Sequence, residues 1–364
     1  GALLRSEDGL ITIQRLIPGG AAAKSKLIEA GDRIVAVAQN KDTPVDVTDM
    51  DLSDAVKLIR GKSGTIVSLT LRRDGVKEDI VVNITREKIK LEDSAAKSAV
   101  VPVAVSTPES KNNNRREYNI GVIDLPSFYI DFECVKAKKA NCRSSAEDVK
   151  KQLKEFGTNK IDSLVVDLRS NGGGSLDEAI KISGIFNGQG PVVQVKGKDN
   201  KVGISTFFGK VAYMGPLVLM LDRQSASASE ILAGAVSDYG RGIIVGSSST
   251  FGKGTVQSFV PLPEEYGAVK VTISKFYLPE GSSTQVKGVN SHIVLPYLMD
   301  HLDIGESYYE NALTWEKIAP TKHSHFGMVT PFIKPLLTAS NKRVEKNKDF
   351  KKIQELIDDY QKDK

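Results

Sequence analysis

The sequence predicts a multi-domain α/β protein in three segments: a strand-rich module over residues 1–88, an α/β core over 89–305 and a helical segment over 306–364. Two observations lead to this prediction. The chain has 364 residues, 40% of them hydrophobic, which is more than one compact core of ordinary size organises. The hydrophobic pattern also changes along the chain, from short strands with turns, to strands alternating with helices, and then to a charged helical pattern.

The first segment contains short apolar strands, turns and one amphipathic helix. In chain order these are LITIQRLI, the small-residue turn PGGAAAKS, DRIVAVAQ, the helix DLSDAVKLIRG and a closing hairpin. This order, over residues 11–73, resembles a PDZ domain. The resemblance implies a groove that takes an extended peptide as an added strand and holds its C-terminal carboxylate on backbone N–H groups.

The candidate groove residues lie at the start of the chain and on the amphipathic helix. They are Gly1, Ala2, Leu3 and Leu4, in what the resemblance identifies as the carboxylate-binding loop, and Leu52, Val56 and Ile59 on the helix. The alternative interpretation is that the helix only packs its apolar face into the core of the module, as most amphipathic helices do.

A polar stretch from about residue 87 to 111, ending in SKNNNRR, predicts a connector with a surface turn. An α/β pattern follows. Its strands are YNIGVIDL, IDSLVVDL, PLVLMLDR and RGIIVG, and its helices are SSAEDVKKQLKEFG, SLDEAIKISGIFN and SASEILAGAVSDYG. This alternation favours a sheet covered by helices. After about residue 305 the chain becomes charged and ends in the solvated helix KDFKKIQELIDDYQKDK.

The overall charge argues against two classes of partner. A formal net charge of +5, from 50 basic and 45 acidic residues, indicates a mixed solvated surface, so we expect no nucleic-acid partner. No apolar run approaches the roughly 18–20 residues that a membrane-spanning helix needs, so we expect no integral membrane segment. The start, GALLRSEDGL, resembles strand sequence, and we expect a truncated or processed chain whose targeting segment lay upstream.

The two cysteines and four histidines do not form a metal-binding pattern. Cys134 and Cys142 lack a second cysteine pair or a nearby histidine, and no HExxH motif occurs. The cysteines either close a surface disulfide or remain thiols, and both alternatives stay open. We expect no metal and no organic cofactor.

The first motif with chemical potential is DLRSNGGGS, residues 167–175, directly after a buried strand. Three consecutive glycines allow backbone N–H groups to approach a ligand oxygen closely, as an oxyanion site requires. The alternative is a plain strand-to-helix turn in which Ser175 caps the next helix.

The second motif is DRQSASASE, residues 222–230, where a strand ends and small residues lead into a helix. A nucleophile can stand at such a helix N-terminus, and Ser225, Ser227 and Ser229 compete for this role. Ser227 and Glu230 also fit an S-x-x-E capping box, so a purely structural role stays open. No glycine flanks the serines as in a G-x-S-x-G elbow, and the histidines give no support for a triad.

The third motif is STFGKGTVQ, residues 249–257. A phosphate-binding loop does not fit, because five residues separate Gly246 from Gly252 and Gly254 stands where serine or threonine is needed. A lysine between two glycines, such as Lys253, can be drawn into a partly dry site, where desolvation lowers its pKa. A neutral amine can then accept a proton from serine, which is the Ser/Lys variant of nucleophilic catalysis.

Together, SASASEILAGA, TFGKGTVQ and DLRSNGGG behind a PDZ-like module resemble the C-terminal processing peptidases, the S41 serine peptidases, and in particular their tail-specific branch. The stretches VKVTISKFYLPEGSSTQVKGV and ENALTWEKI are also similar to that branch. The resemblance implies a protease core of the ClpP/crotonase-like type. It further implies protein substrates with unstructured apolar C-termini, a location in the bacterial periplasm and a lipoprotein adaptor as partner.

The resemblance also implies roles for individual residues. Ser227 would be the nucleophile, Lys253 the general base and Gln257 the residue that orients the lysine. The oxyanion hole and its supports would be formed by Ala228, Gly173, Gly174, Arg169, Glu230, Asp238 and Thr250.

One departure from the family lies between the two residues of the dyad. Lys253 follows Ser227 by 26 residues, one more than the family pattern, because GSSSTFGK stands where GEPTFGK is usual. A bulge could absorb the extra residue, or the lysine could be held away in a resting state. A binding protein on the same fold, or an inactive peptide-binding fragment, is the alternative function.

Overall fold

The computed structural model describes residues 1–7, 9–17, 19–40, 42–87, 95–106, 115–263 and 266–363. The chain divides into two compact units, Gly1–Ala95 and Ala96–Lys364. The predicted boundary between residues 88 and 89 lies outside the described residues, as does part of the predicted SKNNNRR turn. The boundary between residues 305 and 306 stays a prediction.

The described part of the first unit consists of one antiparallel sheet and two helices. Its sheet has the order β1-β2-β3-β5-β6, and β4 pairs with β3. The elements are β1 (Ala2–Glu7), β2 (Leu10–Leu16), α1 (Ala21–Ser25), β3 (Arg33–Gln39), β4 (Val45–Asp46), α2 (Leu52–Ile59), β5 (Ile66–Arg72) and β6 (Ile80–Thr85). Ile11, Ile34 and Leu71 are fully buried between sheet and helices. The predicted strand-rich module is confirmed.

The second unit contains two sheets and six α-helices within the described residues. Its strands are β7 (Lys97–Ser106), β8 (Arg115–Asp124), β9 (Ser163–Asp167), β10 (Gly190–Gly197), β11 (Val202–Phe207), β12 (Leu217–Leu221), β13 (Ile243–Gly246), β14 (Thr255–Pro261), β15 (Ala268–Tyr277) and β16 (Ile293–Val294). Its helices are α3 (Phe132–Lys136), α4 (Ser145–Asn159), α5 (Leu176–Asn187), α6 (Ala228–Asp238), α7 (Thr330–Lys346) and α8 (Lys348–Asp363), with 3-10 turns at Leu298–His301 and Glu306–Tyr308.

The central sheet has the order β16-β13-β12-β9-β8-β7, and all its pairs are parallel except β7 with β8. Helices α4, α5 and α6 pack in succession, which agrees with the predicted helix-covered sheet. The second sheet, β11-β10-β15-β14, is antiparallel. The predicted α/β core and helical C-terminal segment are confirmed, and the long helices of that segment begin at Thr330.

Two local predictions have different outcomes. The predicted connector over residues 87–111 is wrong in part, because β7 occupies Lys97–Ser106 and pairs along its length with β8. Alternating residues Val101, Val103 and Val105 have the period of a strand, although all three are exposed. Cys134 and Cys142, left open by the sequence, form a disulfide.

Candidate active site

The three motifs meet because each follows a parallel strand of the central sheet. DLRSNGGGS begins at the end of β9, DRQSASASE follows β12 and the loop before Lys253 follows β13. Parallel neighbours end at the same edge of a sheet, where open α/β folds place their ligand sites. A cavity of about 550 Å³ lies there. It is lined by Ser127, Phe128, Tyr129, Ile130, Phe132, Gly174, Ser175, Leu176, Ser227, Ala228, Ile231, Lys253, Thr255, Val256, Gln257, Phe259, Lys270 and Phe276.

Of the three competing serines, only Ser227 lines this cavity. The hydroxyl of Ser225 donates to Leu168 O at 2.9 Å and that of Ser229 donates to Asn171 O at 2.8 Å, so both are committed to buried contacts. Ser227 and Glu230 also form the S-x-x-E capping box that the sequence predicted: the Ser227 side chain faces the backbone N–H of Glu230, and the Glu230 carboxylate accepts the Ser227 N–H.

Ser227 has a strained backbone, with φ 58° and ψ −110°, immediately before the first residue of α6. A non-glycine residue at positive φ is uncommon and costs energy, so the surrounding contacts must impose it. A sharp strand-to-helix turn of this kind lifts a serine hydroxyl out of the backbone. The G-x-S-x-G pattern does not predict this turn, because Ser227 lies between Ala226 and Ala228.

Glu230 holds the segments of Ser227 and Lys253 through one carboxylate. Its Oε2 accepts the backbone N–H of Ser227 at 2.7 Å and that of Lys253 at 3.0 Å. Its Oε1 accepts the Thr250 hydroxyl at 2.6 Å and the Gly252 N–H at 2.7 Å. Burial raises the pKa of the Glu230 carboxyl to about 7, and these four hydrogen bonds act against that rise.

Lys253 is half-buried, and its Nζ donates to Gln257 Oε1 at 3.1 Å. Burial lowers the pKa of its amine, and the positive charge of Lys270 lowers it further, while Glu306 and Glu230 act in the opposite direction. Between the described atoms Ser227 Oγ and Lys253 Nζ there is no hydrogen bond, although both side chains line one cavity.

The glycine loop approaches the serine turn so closely that only glycine fits at one position. Gly173 has φ +103°, and a Cβ there would lie 2.9 Å from Ser227 Cβ and 3.0 Å from Ala228 N. Its N–H donates to Asn171 Oδ1 at 2.9 Å. Among the described residues, the N–H groups of Gly174 and Ala228 have no acceptor, and both residues line the cavity.

The supporting residues predicted from the family pattern lie in different places. Thr250 is fully buried beside Glu230, and its hydroxyl also accepts the Val289 N–H at 2.8 Å. Arg169 pairs with Asp167, with 2.6 Å between Nη2 and Oδ2, rather than with the glycine loop. Asp238 lies at the C-terminal end of α6, where it accepts Glu280 N–H at 2.8 Å. It lies outside the cavity lining.

The longer loop before Lys253 is held by contacts of its own. Ser248 N–H donates to Asp300 Oδ2 at 2.8 Å, and the Arg223 guanidinium contacts the Ser249 hydroxyl and Thr250 O. The residue that the family pattern predicts to be extra lies in this stretch, and Lys253 lines the cavity.

Two residues at the site, Asn171 and Lys270, were not predicted from the sequence. Asn171, fully buried, accepts from Gly173 and donates Nδ2 to Leu125 O at 2.7 Å. Its position between serine and glycine could have indicated a turn-stabilising side chain. Lys270 reaches the cavity only because β15 pairs with β14, a pairing that local sequence does not specify.

A second cavity, of about 590 Å³, lies in the first unit. All seven predicted groove residues line it: Gly1, Ala2, Leu3, Leu4, Leu52, Val56 and Ile59. Leu52 and Ile59 line this cavity and also pack against the core of the unit. Val56 lines the cavity but is not among the residues packed against that core. The strand β1 is at the edge of its sheet and lies beside α2.

The described residues offer neither a metal site nor a membrane-spanning helix. No group of histidine, cysteine, aspartate and glutamate side chains in this part of the chain is arranged to hold a metal ion. None of the described helices combines the length and apolarity needed to cross a membrane.

Sequence profiles of three known domains match the chain. "Peptidase family S41" matches residues 119–295, "PDZ domain" matches residues 1–72 and "C-terminal domain of tail specific protease" matches residues 299–364. The three matches follow one another in the order of the segments predicted from the sequence.

Two bacterial proteases are similar to most of the chain. The chain is 39% identical over 337 residues to the tail-specific protease of Haemophilus influenzae, covering 90% of this chain and 45% of that protein. It is 32% identical over 297 residues to the carboxy-terminal-processing protease of Bartonella bacilliformis, covering 81% of this chain and 60% of that protein. The chain thus spans about half the length of these relatives.

A solved structure with the same fold is that of a photosystem II D1 C-terminal processing protease. It aligns with a TM-score of 0.56 and 24% identity, over 81% of this chain and 71% of that one. The chain belongs to peptidase family S41, with a PDZ domain before the peptidase domain and the C-terminal domain of tail-specific proteases after it.

Proposed function

We propose that this chain is the catalytic part of a serine endopeptidase in which Ser227 is the nucleophile and Lys253 the general base. The main support is the cavity that both side chains line: a serine hydroxyl on a strained turn and a half-buried amine with a lowered pKa. A serine is a weak nucleophile until a neighbouring base takes its proton, and a desolvated lysine can do so near neutral pH.

In the proposed reaction, neutral Lys253 accepts the Ser227 proton as the hydroxyl oxygen attacks the scissile carbonyl. Gln257 Oε1 orients the lysine amine through their hydrogen bond. The protonated lysine then donates to the leaving amine, and an acyl-enzyme remains. Lys253 next takes a proton from water, whose oxygen attacks the ester carbonyl. The lysine then returns that proton to Ser227 Oγ as the bond between the acyl carbon and Oγ breaks, which releases the acid and restores the free enzyme.

The negative charge of the tetrahedral intermediate needs donors. We assign them to the N–H groups of Gly174 and Ala228, since both lack an acceptor within the described part of the chain and line the cavity. Losing one such donor typically costs about 3–4 kcal/mol of barrier. Gly173 gives the loop its close approach to Ser227, and its own N–H is committed to Asn171.

The groove of the PDZ domain is proposed to bind the apolar C-terminus of an unstructured protein as a strand added to β1. Its apolar wall from α2 and the backbone at Gly1–Leu4 suit such a peptide. We also propose a periplasmic location, which suits a Cys134–Cys142 disulfide, and a lipoprotein adaptor, which rests on the resemblance to the tail-specific branch alone.

The decisive experiment measures cleavage of an unfolded reporter protein with an apolar C-terminal tag. We expect cleavage by the unmodified chain and its loss in Ser227→Ala and Lys253→Ala. The exposed residues Ser98 and Lys210 lie outside the cavity lining, so Ser98→Ala and Lys210→Ala are matched controls. Activity surviving in either dyad variant would refute the mechanism.

The alternative is a chain that binds peptides without cleaving them. The missing hydrogen bond between Ser227 Oγ and Lys253 Nζ favours it, although such bonds are often long before substrate binds. Binding of the tagged reporter with no cleavage by the unmodified chain would select this alternative.

A further inference from the structure

Two phenylalanines at the active-site cavity are unusually exposed. Phe132 on α3 is 68% exposed and Phe259 on β14 is 70% exposed, yet both line the cavity that contains Ser227. The buried rings of Phe128 and Phe276 line the same cavity. The exposed pair therefore forms an outer apolar rim, which has no role in packing the core.

The segment that carries Phe132 is held in place by several bonds. The two ends of this segment are joined by a hydrogen bond in which Asp131 N–H donates to Arg143 O at 3.0 Å. Asp131 Oδ1 accepts the backbone N–H of Cys134 at 2.9 Å, and the Cys134–Cys142 disulfide closes the excursion. Phe132 thus stands next to a cross-linked turn, which limits the entropy lost when the ring contacts a ligand.

Phe259 is held by strand pairing. It lies opposite Lys270 in the β14–β15 ladder, and Lys270 Nζ is 5.9 Å from the centre of its ring. Gln257, which contacts Lys253, precedes Phe259 by two residues on the same strand, and alternate residues share a face. The ring is therefore on the face that carries the lysine-orienting glutamine.

The charges of the cavity are one-sided. Lys253 and Lys270 line it, and no aspartate or glutamate is among its described lining residues. A basic side chain of a ligand would meet the positive charge of Lys270 and no carboxylate among the described lining residues, whereas an apolar side chain would meet the aromatic rim.

We propose that Phe132 and Phe259 form a rim clamp that grips an apolar side chain of an extended polypeptide beside the bond presented to Ser227, and that the clamp site rejects basic side chains. The inference rests on the proposed function of the same cavity and goes beyond it by naming two specificity-determining residues and the side-chain class they select.

The test is peptide binding to the full chain carrying Ser227→Ala, measured by fluorescence anisotropy. The probes are short labelled peptides that differ at one central residue: leucine, serine or lysine. Their C-termini are amidated, so that they lack the carboxylate that a PDZ groove holds. We expect the leucine peptide to bind at least about tenfold more tightly than the serine peptide, and the lysine peptide to bind most weakly.

Adding Phe132→Ala or Phe259→Ala should weaken binding of the leucine peptide about fivefold or more and leave that of the serine peptide nearly unchanged. Phe132→Leu should restore part of the loss. Phe208→Ala is the matched control, because Phe208 is 79% exposed but lies outside the cavity lining. Equal affinity for the leucine and serine peptides, or no effect of either alanine substitution, would overturn the clamp.

These outcomes are separable from failure of the proposed function, because the Ser227→Ala background is not required to react. A leucine preference that depends on both phenylalanines would support the clamp even if the unmodified chain cleaves nothing. Normal cleavage with no dependence of binding on Phe132 and Phe259 would reject the clamp and retain the peptidase.

Discussion

The buried carboxylate of Glu230 accepts a hydrogen bond from the backbone N–H of Lys253, with 3.0 Å between Glu230 Oε2 and Lys253 N. The same oxygen accepts from Ser227 N–H at 2.7 Å. One side chain on α6 therefore spans the two segments that carry the proposed nucleophile and base, although these residues lie 26 positions apart in the sequence. A carboxylate suits this position because it has acceptor sites for all its donors and no hydrogen of its own.

We expect Glu230→Gln to lower kcat/KM by about 100-fold, because a small displacement of reacting groups is costly. A glutamine offers one acceptor oxygen, so its NH2 group would face N–H donors and leave them unsatisfied, at about 1–3 kcal/mol each. Reporter cleavage and urea unfolding would measure both effects. Glu310→Gln, at an exposed glutamate, is the control, and full activity of Glu230→Gln would contradict the bridging role.

The rate of cleavage should rise with pH as Lys253 loses its proton. Because burial and Lys270 lower the pKa of Lys253, this rise should occur below the ordinary lysine value of 10.5. Lys270→Gln removes a repelling positive charge, so it should raise that pKa and move the profile to higher pH.

Glu306→Gln provides the opposite test, since loss of its negative charge should lower the pKa of Lys253 and move the profile to lower pH. Lys210→Gln, at an exposed lysine outside the cavity lining, should leave the profile in place. Profiles of kcat/KM that stay fixed in both Lys270→Gln and Glu306→Gln would show that Lys253 is not the titrating base.

Gly173→Ala should abolish most activity, with a fall of about 100-fold or more in kcat, because a methyl group cannot enter beside Ser227 without moving it. Gly172→Ala is a close control: nothing lies within 4 Å of a Cβ at that position. Peptide-cleavage kinetics of the two variants would compare them directly. Equal loss in both would indicate a general need for loop flexibility instead of a steric requirement at Gly173.

Asp238→Asn should stabilise the protein at neutral pH. Burial raises the pKa of Asp238 to about 6 from the ordinary 3.8, so the folded state binds its proton more tightly than the unfolded state does. The stability from this proton is full below about pH 4 and is lost as pH rises through 6. Asparagine mimics the neutral form of the carboxyl. The increase in the free energy of unfolding caused by Asp238→Asn should therefore grow from near zero at pH 4 to at most about 3 kcal/mol at pH 8.

Urea unfolding at several pH values would measure this difference, with Asp199→Asn, at an exposed aspartate, as the control. A stabilisation by Asp238→Asn that is independent of pH would exclude the protonation account.

Val56→Glu should weaken binding of a peptide with a free apolar C-terminus at least about tenfold, because a carboxylate would enter the apolar groove wall. Ser53→Glu places the same charge on an exposed position of α2 and should bind normally. Calorimetry of the full chain with the free and amidated forms of the peptide would compare them. Unchanged affinity in Val56→Glu would place the peptide elsewhere.

Local sequence was sufficient for the class of the fold and for most of its elements. Short-range signals predicted several elements. The Ser144 cap and the amphipathic pattern predicted α4, the apolar run before Asp167 predicted β9, and the glycines after β9 predicted a turn. The structure has the helix and the strand at these places. The strand β7 was missed because polar flanking residues resembled a linker, and because its main support is the distant partner strand β8.

The motifs also singled out Ser227, Lys253 and the glycine loop, because unusual residue types and a family resemblance are visible without coordinates. Which serine reaches the cavity was decided by long-range contacts: Ser225 and Ser229 bond to carbonyls of the segment after β9, while Ser227 does not. Strand order and pairing also determine three further features: the hydrogen bond from Gly173 N–H to Asn171, the contacts of Glu230 with both segments, and the position of Lys270 at the cavity. Such contacts join residues far apart in the chain, and local patterns carry no record of them.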